Sequence, residues 1–246
     1  MWNKPHILNA IADLLILAGA AALLVAGAVW LVRVPALPVR QVVFTAELPH
    51  TRRADLEQVL PAALKGNFFS LDLEDARGML ERLPWVRKIE LRRVWPAGLE
   101  VTIEEHRPAA RWGEGRGELV NTFGEVFAAT APAAEMAVLP MLYGPSGTAP
   151  ELLRRYGEFV GALGPLGQRP VQVTLSPRLA WQLKLEGGMV VEMGREQPKA
   201  PVAVRLQRFI EAYPKTVGRR PVRPSVVDLR YPNGFAMRVA GEGKGK

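Results

Sequence analysis

The chain has 246 residues, of which 48% are hydrophobic and 23% charged, with a formal net charge of +8. That length suits one large or two small domains beside a membrane segment, and the absence of cysteine excludes disulfides and thiol chemistry. Arg and Lys are spread along the chain and mostly alternate with acids, which argues against nucleic acid and leaves anionic lipid, an acidic polymer or an acidic protein.

Between Asp13 and Arg33 lie 19 uncharged residues, Leu14 to Val32. A helix of that length spans roughly 30 Å of hydrocarbon, so a transmembrane helix is expected, with residues 1–13 as a short tail before it. A buried soluble helix would show a polar stripe and stop sooner. A cleaved signal peptide is the other rival, because Ala18-Gly19-Ala20 and Ala26-Gly27-Ala28 loosely match cleavage sites, but the apolar run is too long and only Lys4 precedes Asp13. Lys4 against Arg33 and Arg40 leaves the orientation open by charge, and Trp2 and Trp30 are the candidate interface residues.

Prolines from Pro35 to Pro38 predict an extended stalk, and Val39 to Phe44 a strand. Thr51 is the expected N-cap of a first amphipathic helix carrying Leu56, Val59, Leu60 and Ala63 and ending near Gly66. Asp72 is expected to cap a second, with Leu73, Ala76, Leu80 and Leu83 on one face and Pro84 as its stop. Ile89 and Leu91, then Leu99, Val101 and Ile103 after Pro96-Ala97-Gly98, predict a hairpin whose other face sets bases against acids. Strand, helix, helix, strand, strand makes an α+β unit.

Further on, Trp112, Leu119 to Asn121 and Gly124 to Phe127 predict the first hairpin of a second sheet. Thr148 and Glu151 form a candidate capping box for a helix with Leu152, Tyr156, Phe159, Val160 and Leu163 on one face. Strands are expected at Val171 to Leu175, Leu179 to Leu185 and Met189 to Met193, then a helix from Val202 to Tyr213 with Arg205 and Arg208 facing solvent. A last hairpin comprises Val226 to Tyr231, a turn at Pro232-Asn233-Gly234, and Phe235 to Val239. A disordered tail is expected over 241–246.

Gly66-Asn67-Phe68-Phe69-Ser70-Leu71-Asp72, Leu83-Pro84-Trp85-Val86-Arg87-Lys88 and Arg92-Arg93-Val94-Trp95-Pro96, with Glu105-His106-Arg107-Pro108-Ala109, resemble the POTRA domain of the bacterial division family FtsQ, also called DivIB. Leu142-Tyr143-Gly144-Pro145, Leu175-Ser176-Pro177-Arg178 with Trp181, the Arg205-Leu206 to Phe209 helix and Val227-Asp228-Leu229-Arg230-Tyr231 with Asn233-Gly234 extend the likeness nearly to Val239. The resemblance implies a single N-terminal transmembrane helix, a POTRA domain of β-α-α-β-β order over 33–108 (stalk included), and a mixed α/β domain with a mainly antiparallel sheet over 109–240. It further implies an inner-membrane protein with its C-terminal domains in the periplasm, enriched at the septum, that recruits small coiled-coil proteins like FtsB and FtsL and, through them, the septal peptidoglycan machinery. Arg230 and Tyr231 match family positions at the binding surface; with Arg178, Asn233, Phe235, Met237 and Val239 they are the expected partner-binding residues, and the last strand in sequence, with Phe235, Met237 and Val239 at alternate positions, is the expected docking edge.

No catalytic constellation is legible. His106 beside Glu104 and Glu105 suggests a metal, but the two glutamates point to opposite faces of a strand, and strand-end charges are usually solvated. There is no Gly-x-Ser-x-Gly, P-loop or dinucleotide fingerprint, and no carboxylate pair for cleaving cell-wall sugars is marked out. A non-enzyme without cofactor or small-molecule substrate is therefore expected. The alternatives are a POTRA-bearing component of outer-membrane assembly or two-partner secretion, whose large β-barrel this sequence does not encode after Val239, and an anchored cell-wall hydrolase.

Overall fold

Apolar length alone makes the first element a helix. In the computed structural model, which describes residues 5–33, 39, 41–45, 48–113, 117–219 and 221–239, α1 spans Pro5–Arg33. Asp13 lies inside this helix rather than before it. Its stretch Asn9–Trp30 has mean hydropathy 2.2 with nothing of it buried, which fits a single-pass membrane protein. Trp2, the stalk at 35–38 and the tail at 241–246 fall outside the described residues. The chain forms two compact units divided between Glu105 and His106.

The first unit contains β1 (Gln41–Phe44), α2 (Arg53–Ala63), α3 (Leu73–Leu80), β2 (Val86–Val94) and β3 (Gly98–Glu105). The sheet order is β1-β3-β2, with β1 parallel to β3 and β2 antiparallel to it. Leu56, Ala76, Leu80, Ile89, Leu99, Val101 and Ile103 form its core. Asp72 caps α3 as expected, accepting from the N–H groups of Glu74 and Asp75. Thr51 does not cap α2. Its N–H donates at 2.7 Å to the Glu105 carboxylate, which draws it inward to 6% exposure and leaves Arg52 at the helix start without a side-chain cap. Glu105 is thus no solvated strand-end charge; it closes the loop before α2 onto the end of β3. On the polar face, Arg87 meets Glu104 at 2.9 Å and Arg92 meets Glu100 at 3.5 Å, the expected cross-strand pairing.

In the second unit, β4 (Pro108–Trp112), β5 (Glu118–Asn121) and β6 (Val126–Ala128) are followed by α4 (Ala133–Val138), β7 (Met141–Tyr143), α5 (Ala149–Leu163), β8 (Pro170–Leu175), β9 (Ala180–Leu185), β10 (Val190–Arg195), α6 (Val202–Ala212), β11 (Pro224–Asp228) and β12 (Ala236–Val239). The nine strands run in the order β12-β11-β10-β9-β8-β7-β4-β5-β6. Parallel pairing appears where a helix intervenes, β7 with β8 across α5 and β10 with β11 across α6, because a parallel neighbour needs a long crossover. Phe159 and Leu163 of α5 and Leu206 and Phe209 of α6 pack with Val173, Leu183, Val191 and Val227. Each such side chain contributes about 1.5–3 kcal/mol by leaving water.

Three expectations fail here for local reasons, and one expected strand, β8, carries an irregularity at its start. The Thr148 hydroxyl donates back to the Pro145 carbonyl at 2.6 Å, so it forms no capping box with Glu151. Leu179 sits at φ 60° in the turn between β8 and β9, 57% exposed, rather than in the strand. A register shift between Pro170 and Gln172 turns Val171 outward. Arg205 is 4% exposed, not solvated; its guanidinium donates to the carbonyls of Met193 and Arg195, which flank a bulge at Gly194.

Candidate functional site

The last hairpin occupies one edge of the large sheet. Among the described residues β12 pairs only with β11, in a register that sets Val226 against Arg238, Val227 against Met237 and Asp228 against Ala236. Which backbone groups this leaves outward follows from the ladder. Leu229 N–H donates at 2.8 Å to Glu192 O of β10, so Val227 and Leu229 turn their polar groups to β10 and Val226 and Asp228 turn theirs to β12. Arg238 and Ala236 answer them, and the Arg238 carbonyl also accepts from Ser225 Oγ at 3.1 Å. Alternation then directs the N–H and C=O of Met237 and Val239 away from the sheet. An edge of this kind is a template for another strand.

Side chains of the same residues do a different job. Phe235 and Met237 are partly buried against the core, and the Phe235 ring meets Phe209 of α6 edge-on at 5.5 Å. Arg208 of α6 donates to the Pro232 carbonyl, so α6 holds the turn as well as the strand. Val239 is half-buried. Tyr231, expected among the partner-binding residues, is 54% exposed because β11 ends at Asp228 and the chain turns away. With Asn233, Gly234 and Phe235 it lines an open depression of about 420 Å³.

Arg230 is exposed but already engaged. Its Nε and a terminal nitrogen grip the two Asp228 oxygens at 2.8 and 2.6 Å, its own N–H donates to Asp228 at 3.0 Å, and Glu192 lies at 3.1 Å. The Arg230 hydrogen bond holds the Asp228 carboxyl below its ordinary value, and Asp228 in turn raises the guanidinium. Arg178 stands apart from this pair, exposed in the Ser176–Leu179 turn, where it lines a 260 Å³ hollow with Glu151, Trp181, Arg195 and Glu196. Trp181 also lines the neighbouring hollow that holds Arg230. Sequence reasoning missed Asp228 and Glu192 as holders of Arg230, and missed the bulge beneath it. A glycine directly after Met193, within a strand pattern, is the signal that marks such a bulge.

His106, Glu104 and Glu105, the candidate metal ligands, each have protein partners, Glu104 with Arg87 and Glu105 with the Thr51 N–H. Asn121 Oδ1 accepts from the N–H groups of Phe123 and Glu125, which fixes the amide so that its Nδ2 faces His106 Nδ1 at 2.9 Å; the His106 ring stacks on Phe127 at 4.1 Å. Among the described residues these features define a POTRA-bearing α+β protein with an apolar N-terminal helix and a free sheet edge at its last strand.

Residues 37–106 match the POTRA domain of FtsQ type, and residues 110–230 match the family described as Cell division protein FtsQ/DivIB, C-terminal. The Cell division protein FtsQ of Burkholderia pseudomallei is 41% identical over 98% of this chain and 95% of its own length. That of Nitrosospira multiformis is 37% identical over 97% and 99%, and that of Escherichia coli 33% over 85% and 75%. The chain belongs to the FtsQ family of cell division proteins.

Proposed function

We propose that the protein is a non-enzymatic divisome scaffold, anchored in the inner membrane by α1 with both units on the periplasmic side, which recruits FtsB-like and FtsL-like small coiled-coil proteins to the septum. The observation that carries this reading is the outward backbone of Met237 and Val239 on an unpaired edge, which suits strand addition: main-chain hydrogen bonds supply affinity and neighbouring side chains supply choice. Tyr231 and Asn233 border the depression beside that edge and are the side chains offered to the partner. Phe235 and Met237 hold the strand in place from the core side. Arg230 presents a guanidinium whose Asp228 and Glu192 partners a docking acid would join or replace, and Arg178 offers an exposed charge on the turn after β8.

Met237→Pro tests this. Proline removes an N–H that points out of the sheet, so no ladder bond inside the unit is lost. Capture of an FtsB-like partner from membranes by the variant should fail while the melting curve stays near that of the parent. Retained capture sinks strand addition; loss of folding means that the Met237 N–H is needed inside the sheet.

A further inference from the structure

Outside α1, the most exposed large apolar side chain among the described residues is Trp95, at 75%, on the turn between β2 and β3. It does not stand alone. Its ring meets that of Phe68 edge-on at 6.3 Å, and Phe68 meets Phe69 edge-on at 5.2 Å, so one buried ring roots two outward ones, Phe69 being 45% exposed. Both segments are fixed. Arg93 clips the end of β2 to the 66–71 loop by donating to the carbonyls of Phe68 at 2.8 Å and Leu71 at 2.6 Å. Within that loop the Asn67 side-chain oxygen accepts from the N–H groups of Phe69 and Ser70 at 2.9 and 2.8 Å. Apolar area that folded turns hold out in water marks a surface for something else to cover.

The strand register says what lies nearest. Gln41, the first residue of β1, pairs with Gly98, which pairs in turn with Val94. The row Val94, Gly98, Gln41 therefore marks the end of the sheet at which the chain arrives from α1, and Trp95 comes directly after it. The eight residue steps from Arg33 to Gln41 reach about 29 Å at most. Crossing from β1 to β2 adds only about 10 Å, two strand spacings. Trp, with an apolar body and one N–H donor, is the side chain that membrane interfaces favour. Charge beside it is balanced, Arg92 meeting Glu100 at 3.5 Å, so the rings rather than a net sign give this surface its chemistry.

We infer that Trp95 and Phe69 seat in the interfacial layer of the bilayer that α1 crosses, so that the first unit rests on the membrane through this turn as well as hanging from its tether. The inference rests on α1 spanning the membrane, on whichever side the units lie, and is independent of strand addition at β12. A protein partner is the competing occupant; the short tether and the place of Trp95 at the arriving end of the sheet favour lipid.

Because the chain has no cysteine, Ala97→Cys places a single polarity-sensitive fluorophore on the turn. The test uses the full chain, α1 included, in phosphatidylcholine nanodiscs doped with lipid that carries a headgroup nitroxide. Lys88→Cys, six residues before Val94 on β2 and so about 20 Å away, is the reference position. The label at 97 should emit to the blue of the label at 88 and lose roughly twofold more of its emission to the nitroxide, as for a group seated at the headgroup boundary. High salt should leave that difference in place, because apolar insertion is not screened. Trp95→Glu should abolish it with the melting curve near that of the parent, since the side chain is exposed, and Phe69→Glu should weaken it and serves if Trp95→Glu does not fold. Equal quenching at the two positions, a difference that a folded variant leaves intact, or one that high salt removes, overturns the inference. A label at 97 that lipid does not quench but an added membrane protein shields assigns the turn to a protein partner and overturns it equally.

Discussion

Arg205 reaches from the middle of α6 to donate to the Met193 carbonyl, which is freed where the bulge at Gly194 breaks the pairing of β10 with β9. Gly194 adopts φ +72°, and a Cβ there would lie 2.9 Å from Arg230 Cγ and 3.2 Å from the Arg205 guanidinium. The bulge, the buried guanidinium and the site arginine therefore form one stack. Desolvation lowers the Arg205 pKa, yet the group stays charged because its ordinary value is so high.

Arg205→Ala leaves two carbonyls without their donors and opens a void. It should cost about 3 kcal/mol in chemical denaturation, the scale for hydrogen bonds to a charged donor. Arg205→Lys should recover only part, since an ammonium lacks the fork that reaches both carbonyls. A loss below about 0.5 kcal/mol, the range of an ordinary surface substitution, would show that the bulge holds itself.

The Asp228–Arg230 grip has a pH signature. Because the folded carboxyl lies below its ordinary 3.8, its stabilisation is complete above that value and disappears as pH falls through the lower folded value. A titration of the Asp228 carboxyl by NMR should give a midpoint below 3.8, moving upward in Arg230→Met. A midpoint unmoved by that substitution would place the cause elsewhere.

Trp85, 8% exposed, stacks on His50 at 4.0 Å between the Glu105-bound loop and β2. Trp85→Ala should cost about 3–5 kcal/mol, as for other buried aromatics. A variant that melts with the parent but no longer captures its partner would make Trp85 a contact residue.

Orientation is tested by fusion after Val239. A reporter active only in the periplasm should work there; activity of a cytoplasm-only reporter would reverse the orientation and remove the proposed partners from reach.

Much of the fold was legible because it depends on local chemistry. Asp72 before an amphipathic run, alternation through Ile89 to Ile103 and the glycine turn at 187–188 each specify their element within a few residues. Residues whose roles depend on distant groups were read wrongly. Thr51 and Thr148 have the composition of caps, but a carboxylate 54 residues away claims the first and the Pro145 carbonyl the second. Arg205 falls on the polar side of its helix by periodicity, and only the carbonyls released at Gly194 explain its burial. At the site, the edge position of β12 is a property of the whole strand order, which no local pattern contains; the exposure of Tyr231 follows from where β11 ends.

The most direct test of the account is amide hydrogen exchange on the full chain with and without its partner. If a strand adds to β12, the Met237 and Val239 amides should exchange freely in the unbound protein and become protected in the complex, while those of Ala236 and Arg238, already bonded to β11, change little. Unchanged exchange at Met237 and Val239 in a formed complex would contradict it.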